Sequence, residues 1–133
     1  MYANFLLKRE LNNKLAYGRI YSPVFPLHFH SHLEVYLIRS GEVEILVNDR
    51  RKVLHGGEMS IAFGYDAHGY RTVKESEVDY LIVPLCYCGD FPSLLTNRHS
   101  HSPFLDDPEV FGTVSDAFDK LYAAGTNELL RRG

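Results

Sequence analysis

The feature that most constrains this chain is a succession of short, apolar-rich runs broken by turn residues, which fills residues 15–84. Such runs fall at residues 15–22, 33–39, 43–47, 51–54, 59–62, 70–72 and 78–84. Between them sit Ser40-Gly41-Glu42, Asn48-Asp49-Arg50 and His55-Gly56-Gly57, where glycine and asparagine supply the positive φ that tight hairpins require. Connections this short favour antiparallel neighbours, so the spacing predicts an antiparallel sandwich or barrel. Val43, Ile45 and Val47 alternate with Glu44 and Leu46 as a half-buried strand does.

The texture changes after Pro84. A connector with one helical turn is expected around Leu94-Leu95, flanked by polar residues that include His99 and His101. Asp107 followed by Pro108 then reads as an N-cap with proline at the first helical position. Val110, Phe111, Val114, Ala117, Phe118, Leu121 and Tyr122 recur at amphipathic-helix spacing, which predicts a helix over residues 108–124. Gly125 reads as its stop and Thr126 as the cap of a second helix over 127–132. A helix that short is marginal alone, so the chain is expected to be a piece of a longer protein.

At 133 residues, 45% of them hydrophobic, the chain suffices for one core and one domain. It contains neither an apolar run long enough to span a bilayer nor the pattern of a secretory signal, so a soluble, cytoplasmic protein is expected. A net charge of −3 argues against a phosphate-neutralising surface, and hence against direct binding of nucleic acid. The only cysteines, Cys86 and Cys88, point to opposite faces of an extended segment and read as reduced packing residues. Arg50-Arg51-Lys52 reads as a solvated hairpin, and His99 and His101 as exposed.

The sharpest chemical signal is His28-Phe29-His30-Ser31-His32-Leu33-Glu34. Histidines at i and i+2 of an extended strand share a face, which begins a metal site. Glu34 opens the next strand, and His68, after the turn-like Gly64-Tyr65-Asp66-Ala67, is placed to return beside the first. A bend between the strands is expected to throw His32 outward. Three imidazoles and a carboxylate, from His28, His30, Glu34 and His68, suit Zn, Ni, Fe or Mn. The same residues equally suit hydrogen bonding to an organic ligand without a metal. Tyr36 and Ile38 share the parity of Glu34 and are expected inside, with Val35, Leu37 and Arg39 facing the other way. Tyr36 therefore joins the candidate ligand contacts, although a core tyrosine fits equally.

His28, His30, Glu34 and Gly41 stand at the spacing of the first cupin motif, which residues 28–41 resemble. Gly57 and His68 match parts of the second motif, while Phe63, Tyr65 and Thr72 depart from it, and Ser22 stands where a glycine often precedes the first. Together with residues 34–43, 55–62 and the late helical segment, this is similar to the N-terminal domain of AraC-type transcription regulators. The resemblance runs from about residue 15 to the end. It implies a mostly β fold, a cupin-type double-stranded β-helix followed by C-terminal α-helices, with residues 1–90 as the effector-binding barrel and 91–133 as a helical dimerisation extension. It also implies a homodimer paired through helix 108–124, with DNA held by a separate helix-turn-helix domain absent from this chain. A regulatory module that senses a small molecule is the favoured function, because a small free-standing enzyme has little use for the helical tail. A metal-dependent cupin enzyme, an isomerase or dioxygenase, is the alternative. Pocket polarity points to an effector with oxygen or nitrogen groups, such as a sugar or small acid.

Overall fold

A computed structural model of the chain describes residues 4–5, 15–29, 32–84 and 102–132, with side chains over 15–29, 32–84 and 102–125. Among these, eight strands and one helix follow in order: β1 (Asn4–Phe5), β2 (Ala16–Tyr21), β3 (Val24–Phe29), β4 (Leu33–Val47), β5 (Arg50–His55), β6 (Met59–Ala62), β7 (His68–Val83), β8 (Phe104–Leu105) and α1 (Pro108–Arg132). The fold is organised by β4 and β7, which pair antiparallel along nearly their whole lengths, from Leu33↔Val83 to Val47↔His68. Each strand takes part in two half-sheets. In the first, β2 adds to the late part of β7, and β6 then β8 add to the early part of β4. In the second, β3 adds to the early part of β7 and β5 to the late part of β4, with β1 parallel on β3.

The two half-sheets close over one core. Tyr36, Ile38 and Val78 from the first meet Val43, Ile45, Val47, Leu54 and Tyr70 from the second. Strand alternation then forces Val35 and Leu37 to the outer face of the first half-sheet, where Phe118, Phe111, Val114 and Tyr122 of α1 cover them. The expected inside and outside sets of β4 are therefore both observed.

Four local expectations need correction. Ser40-Gly41-Glu42 is no hairpin turn: β4 runs through it, with register shifts between Ile38 and Val43. Gly41 has φ of 85°, and a Cβ there would collide with the Glu75 carbonyl oxygen and come within 2.6 Å of Ser76 Cα, so the glycine serves a bulge pressed against β7. The segments 70–72 and 78–84 likewise belong to one strand. The residues between them fall outside the expected runs, yet they cross from one half-sheet to the other still paired, as in Glu42↔Lys74 and Ser40↔Glu77. Residues 24–27, absent from the expected strands, join His28 and Phe29, which were expected to be extended, to form β3.

The fourth correction concerns the helical tail. Asp107 caps α1 as expected, its Oδ1 accepting from the Glu109 and Val110 amides at 2.8 and 3.2 Å. Gly125 does not stop the helix, which continues through Arg132 as one element. A helical glycine costs only about 1 kcal/mol, too little to end a helix by itself. Its lack of a side chain has another use: a Cβ there would lie 2.7 Å from the Tyr17 hydroxyl, which donates to the Leu121 carbonyl at 3.2 Å. Among the described residues no helix is long and apolar enough to cross a membrane.

Candidate functional site

Three members of the expected cluster, His28, Glu34 and His68, come together inside the barrel at the end where β4 and β7 begin, away from the bulged crossing. His28 on β3 and His68 on β7 are direct register partners, with ring centroids 4.3 Å apart. Glu34, near the start of β4, reaches them from the first half-sheet. One ligand atom from each of His28, Glu34 and His68 lies within 4.8 Å of the others. All three are buried, at 8%, 5% and 0% relative exposure, so their polar atoms must be satisfied by one another or by a guest. His30, the fourth expected member, lies outside the described residues, as do Cys86, Cys88, His99, His101 and Leu94-Leu95.

Backbone carbonyls orient both imidazoles. His28 Nδ1 lies 2.7 Å from the Pro26 carbonyl oxygen, and His68 Nδ1 lies 2.8 Å from that of Asp66. A carbonyl only accepts, so each Nδ1 carries a proton and Nε2 is the nitrogen left for a ligand. His68 Nε2 sits 2.9 Å from Glu34 Oε2, while the Tyr70 hydroxyl donates to Glu34 Oε1 at 3.1 Å. Burial pulls the His68 pKa down, but the hydrogen bond and charge of Glu34, with help from Asp66, more than reverse this and leave it raised. Burial above all, then the Glu34 charge, pushes the Tyr70 hydroxyl well above its ordinary pKa, keeping it a donor.

This donor set fits a divalent transition metal in its chemistry: two imidazoles with their second nitrogens already anchored, and one carboxylate. Donors held tetrahedrally at roughly 2.1 Å from one zinc stand about 3.4 Å apart. The three ligand atoms lie within 4.8 Å of one another, so the widest pair would have to draw together for all three to hold one ion. The His68–Glu34 hydrogen bond would have to open for an ion to enter, with loss of the proton between them.

Tyr36 lies in the core, stacked on Tyr70 with ring centroids 3.6 Å apart and an interplanar angle of 6°. Tyr70 itself was not foreseen. The available signal was its position two residues after His68 on a strand, which gives it the same face. His32 is a correction: the chain does bend there, but the bend turns the imidazole into the protein, where it is 4% exposed. Arg51 and Lys52 are exposed, as a solvated hairpin requires.

A second polar cluster, also unforeseen, joins the helix to the outer face of the first half-sheet. Asp79, fully buried, accepts from Arg19 Nε at 2.8 Å, Arg39 Nε at 2.6 Å and the Tyr122 hydroxyl at 2.8 Å. Arg39 continues to the Ser115 hydroxyl at 2.5 Å and to Asp119 at 3.2 Å, and Arg19 pairs with Glu77 at 3.0 Å. Each buried charge thus has an opposite partner. Burial pushes the Asp79 pKa up, but the hydrogen bonds from Arg19, Tyr122 and Arg39 leave it below its ordinary value.

Residues 15–132 match the profile of a family described as the AraC-like ligand binding domain. No curated protein matches the chain. Among solved structures, an RmlC-like cupin from Shewanella frigidimarina is similar at a TM-score of 0.51 and 22% identity, over 56% of this chain and 69% of that one. The conserved SPY1581 protein of Streptococcus pyogenes is similar at a TM-score of 0.52 and 14% identity, over 55% of this chain and 67% of that one. The TT1209 protein of Thermus thermophilus is similar at a TM-score of 0.50 and 20% identity, over 55% of this chain and 75% of that one. At these identities the structural likeness speaks to the fold alone.

Proposed function

The chain belongs to the family of AraC-like ligand binding domains, and from that premise we propose that it is the small-molecule-sensing and dimerisation part of a bacterial AraC-type transcription regulator. Residues 1–90 are the effector-binding barrel and 91–133 the dimerisation extension, while a separate domain of the regulator holds DNA. The observation that carries the sensing role is the buried meeting of His28 and His68, from the second half-sheet, with Glu34 on the inner face of the first, whose outer face bears α1. Effector contacts are assigned to His28, His30, Glu34, Tyr36 and His68. A sugar or small acid suits them, because its hydroxyl or carboxyl oxygens can take the place that the Glu34–His68 hydrogen bond now fills. Binding transmits only if it favours one arrangement of barrel and helix over another. A Zn, Ni, Fe or Mn ion held by His28, His30, Glu34 and His68 would supply a Lewis acid for an effector oxygen. Dimerisation is assigned to helix 108–124, supported by Val110, which stays 42% exposed while Phe118 is buried on the sheet.

The same donor set favours a second reading, a metal-dependent cupin enzyme acting as an isomerase or dioxygenase. One experiment separates the two. Protein purified without a histidine tag is analysed for metal and screened by thermal shift against sugars and small carboxylic acids, beside a His28→Ala, His30→Ala double variant. A compound that raises the wild-type melting temperature but not the variant's supports the sensor. Stoichiometric redox metal together with oxygen uptake on a small substrate would establish the enzyme instead.

A further inference from the structure

The loop that precedes β7 is held from outside the site. Asn48 occupies the β4–β5 turn in the left-handed region, with φ of 55°. Its Nδ2 donates to Asp66 Oδ1 at 2.9 Å, and its Oδ1 accepts from the Ala67 amide at 2.9 Å. The Asn48 amide in turn donates to the Ala67 carbonyl at 2.6 Å. Asp66 closes the loop on itself: its Oδ2 accepts from the Phe63 amide at 2.9 Å and its own amide donates to the Phe63 carbonyl at 3.0 Å. Every one of these bonds converges on residues 66 and 67, and the Asp66 carbonyl is the group that holds His68 Nδ1. Neither Asn48 nor Asp66 donates a ligand atom to the cluster of His28, Glu34 and His68.

We propose that Asn48 and Asp66 are positioning residues for His68: they clamp the Asp66 carbonyl in place, and that carbonyl aims Nε2 of His68 at Glu34 and at any ion bound there. The inference rests on reading His28, Glu34 and His68 as the binding set. The turn conformation alone does not explain Asn48, because glycine would adopt the same φ more easily while making none of the side-chain bonds. An imidazole anchored through Nδ1 loses metal affinity when that anchor is loosened, typically by 10- to 100-fold.

The test uses the whole chain, labelled with nitrogen-15, as wild type, Asn48→Gly, Asn48→Asp, and the exchange variant Asn48→Asp with Asp66→Asn. Two quantities are read: the His68 ring Nδ1–H resonance, and Zn²⁺ affinity by calorimetric titration. Asn48→Gly is expected to broaden or abolish the exchange-protected ring resonance and to weaken Zn²⁺ binding about tenfold or more, with the backbone spectrum otherwise retained. Asn48→Asp sets two carboxylates against each other and is expected to do the same. The exchange variant restores a donor facing an acceptor, and should recover both readouts, which a purely structural defect at the turn would not do. A sharp ring resonance and a Zn²⁺ affinity within about twofold of wild type in Asn48→Gly, against the 10- to 100-fold effect expected, would overturn the proposal. If wild type takes up no Zn²⁺, the metal reading of the site falls by itself, and the ring resonance still decides whether Asn48 positions His68.

Discussion

Tyr70 shows how much one hydroxyl can matter in a dry site. Glu34 is buried, and the hydroxyl of Tyr70 is one of the donors its carboxylate accepts from, His68 being another at 2.9 Å. Tyr70→Phe keeps the stacked ring on Tyr36 and removes only that donor. Because hydrogen bonds to charged groups contribute about 1.5–3 kcal/mol, urea unfolding is expected to show a loss of that size. A change below about 0.5 kcal/mol would mean that water replaces the hydroxyl and that the site is wetter than its burial suggests. The His68 and Glu34 positions were legible from the sequence because strand parity and a turn sufficed to place them. Tyr70 and His32 were harder, since a tyrosine in a strand has an equally good core role and the direction of a bend depends on what it packs against.

At the scale of the element, α1 and the strands it covers test how local preference and packing compete. Gly125 lowers helix propensity by about 1 kcal/mol relative to alanine, yet it makes room for the Tyr17 hydroxyl on the Leu121 carbonyl. In the wild type, Gly125→Ala should therefore be close to neutral, the propensity gain offsetting a lost hydrogen bond of about 1 kcal/mol. In a Tyr17→Phe background the hydroxyl is gone and the next Tyr17 atom lies 3.9 Å away, so Gly125→Ala should stabilise by most of about 1 kcal/mol. Equal effects in both backgrounds, measured by denaturant unfolding, would show that Tyr17 has no part in the choice of glycine. The strands carry the same lesson. Gly41 reads locally as part of a turn and residues 73–77 fall outside the expected strands, but pairing between β4 and β7 runs through both.

For the whole molecule, the decisive feature is the Asp79 clasp, which joins β2, β4 and β7 to the helix. Removing the carboxylate in Asp79→Ala leaves Arg19 and Arg39 facing each other without their shared anion, and should destabilise by about 3–5 kcal/mol. Since the folded pKa of Asp79 is depressed, its contribution is fully present above the unfolded value, near 3.9, and is lost as pH falls through the lower folded value. Acid unfolding of the wild type should therefore extend below about pH 4, and the variant should lack that part of the pH dependence. Dimerisation is tested by sedimentation equilibrium: Val110→Asp, on the exposed side of α1, is expected to shift the population from two chains toward one without changing the fold. Residue order alone was enough for an antiparallel β architecture, the inward parity of Glu34, Tyr36 and Ile38, the N-cap at Asp107 and the amphipathic face of α1. Each of these depends on periodicities of two or 3.6 residues and on local capping chemistry. Packing in three dimensions chose which strands run unbroken through a bulge, carried the helix past Gly125, and brought Asp79, Arg19, Arg39 and Tyr122 together. Those outcomes depend on hydrogen bonds and charge pairs between residues up to 104 positions apart, whose partners no local window contains.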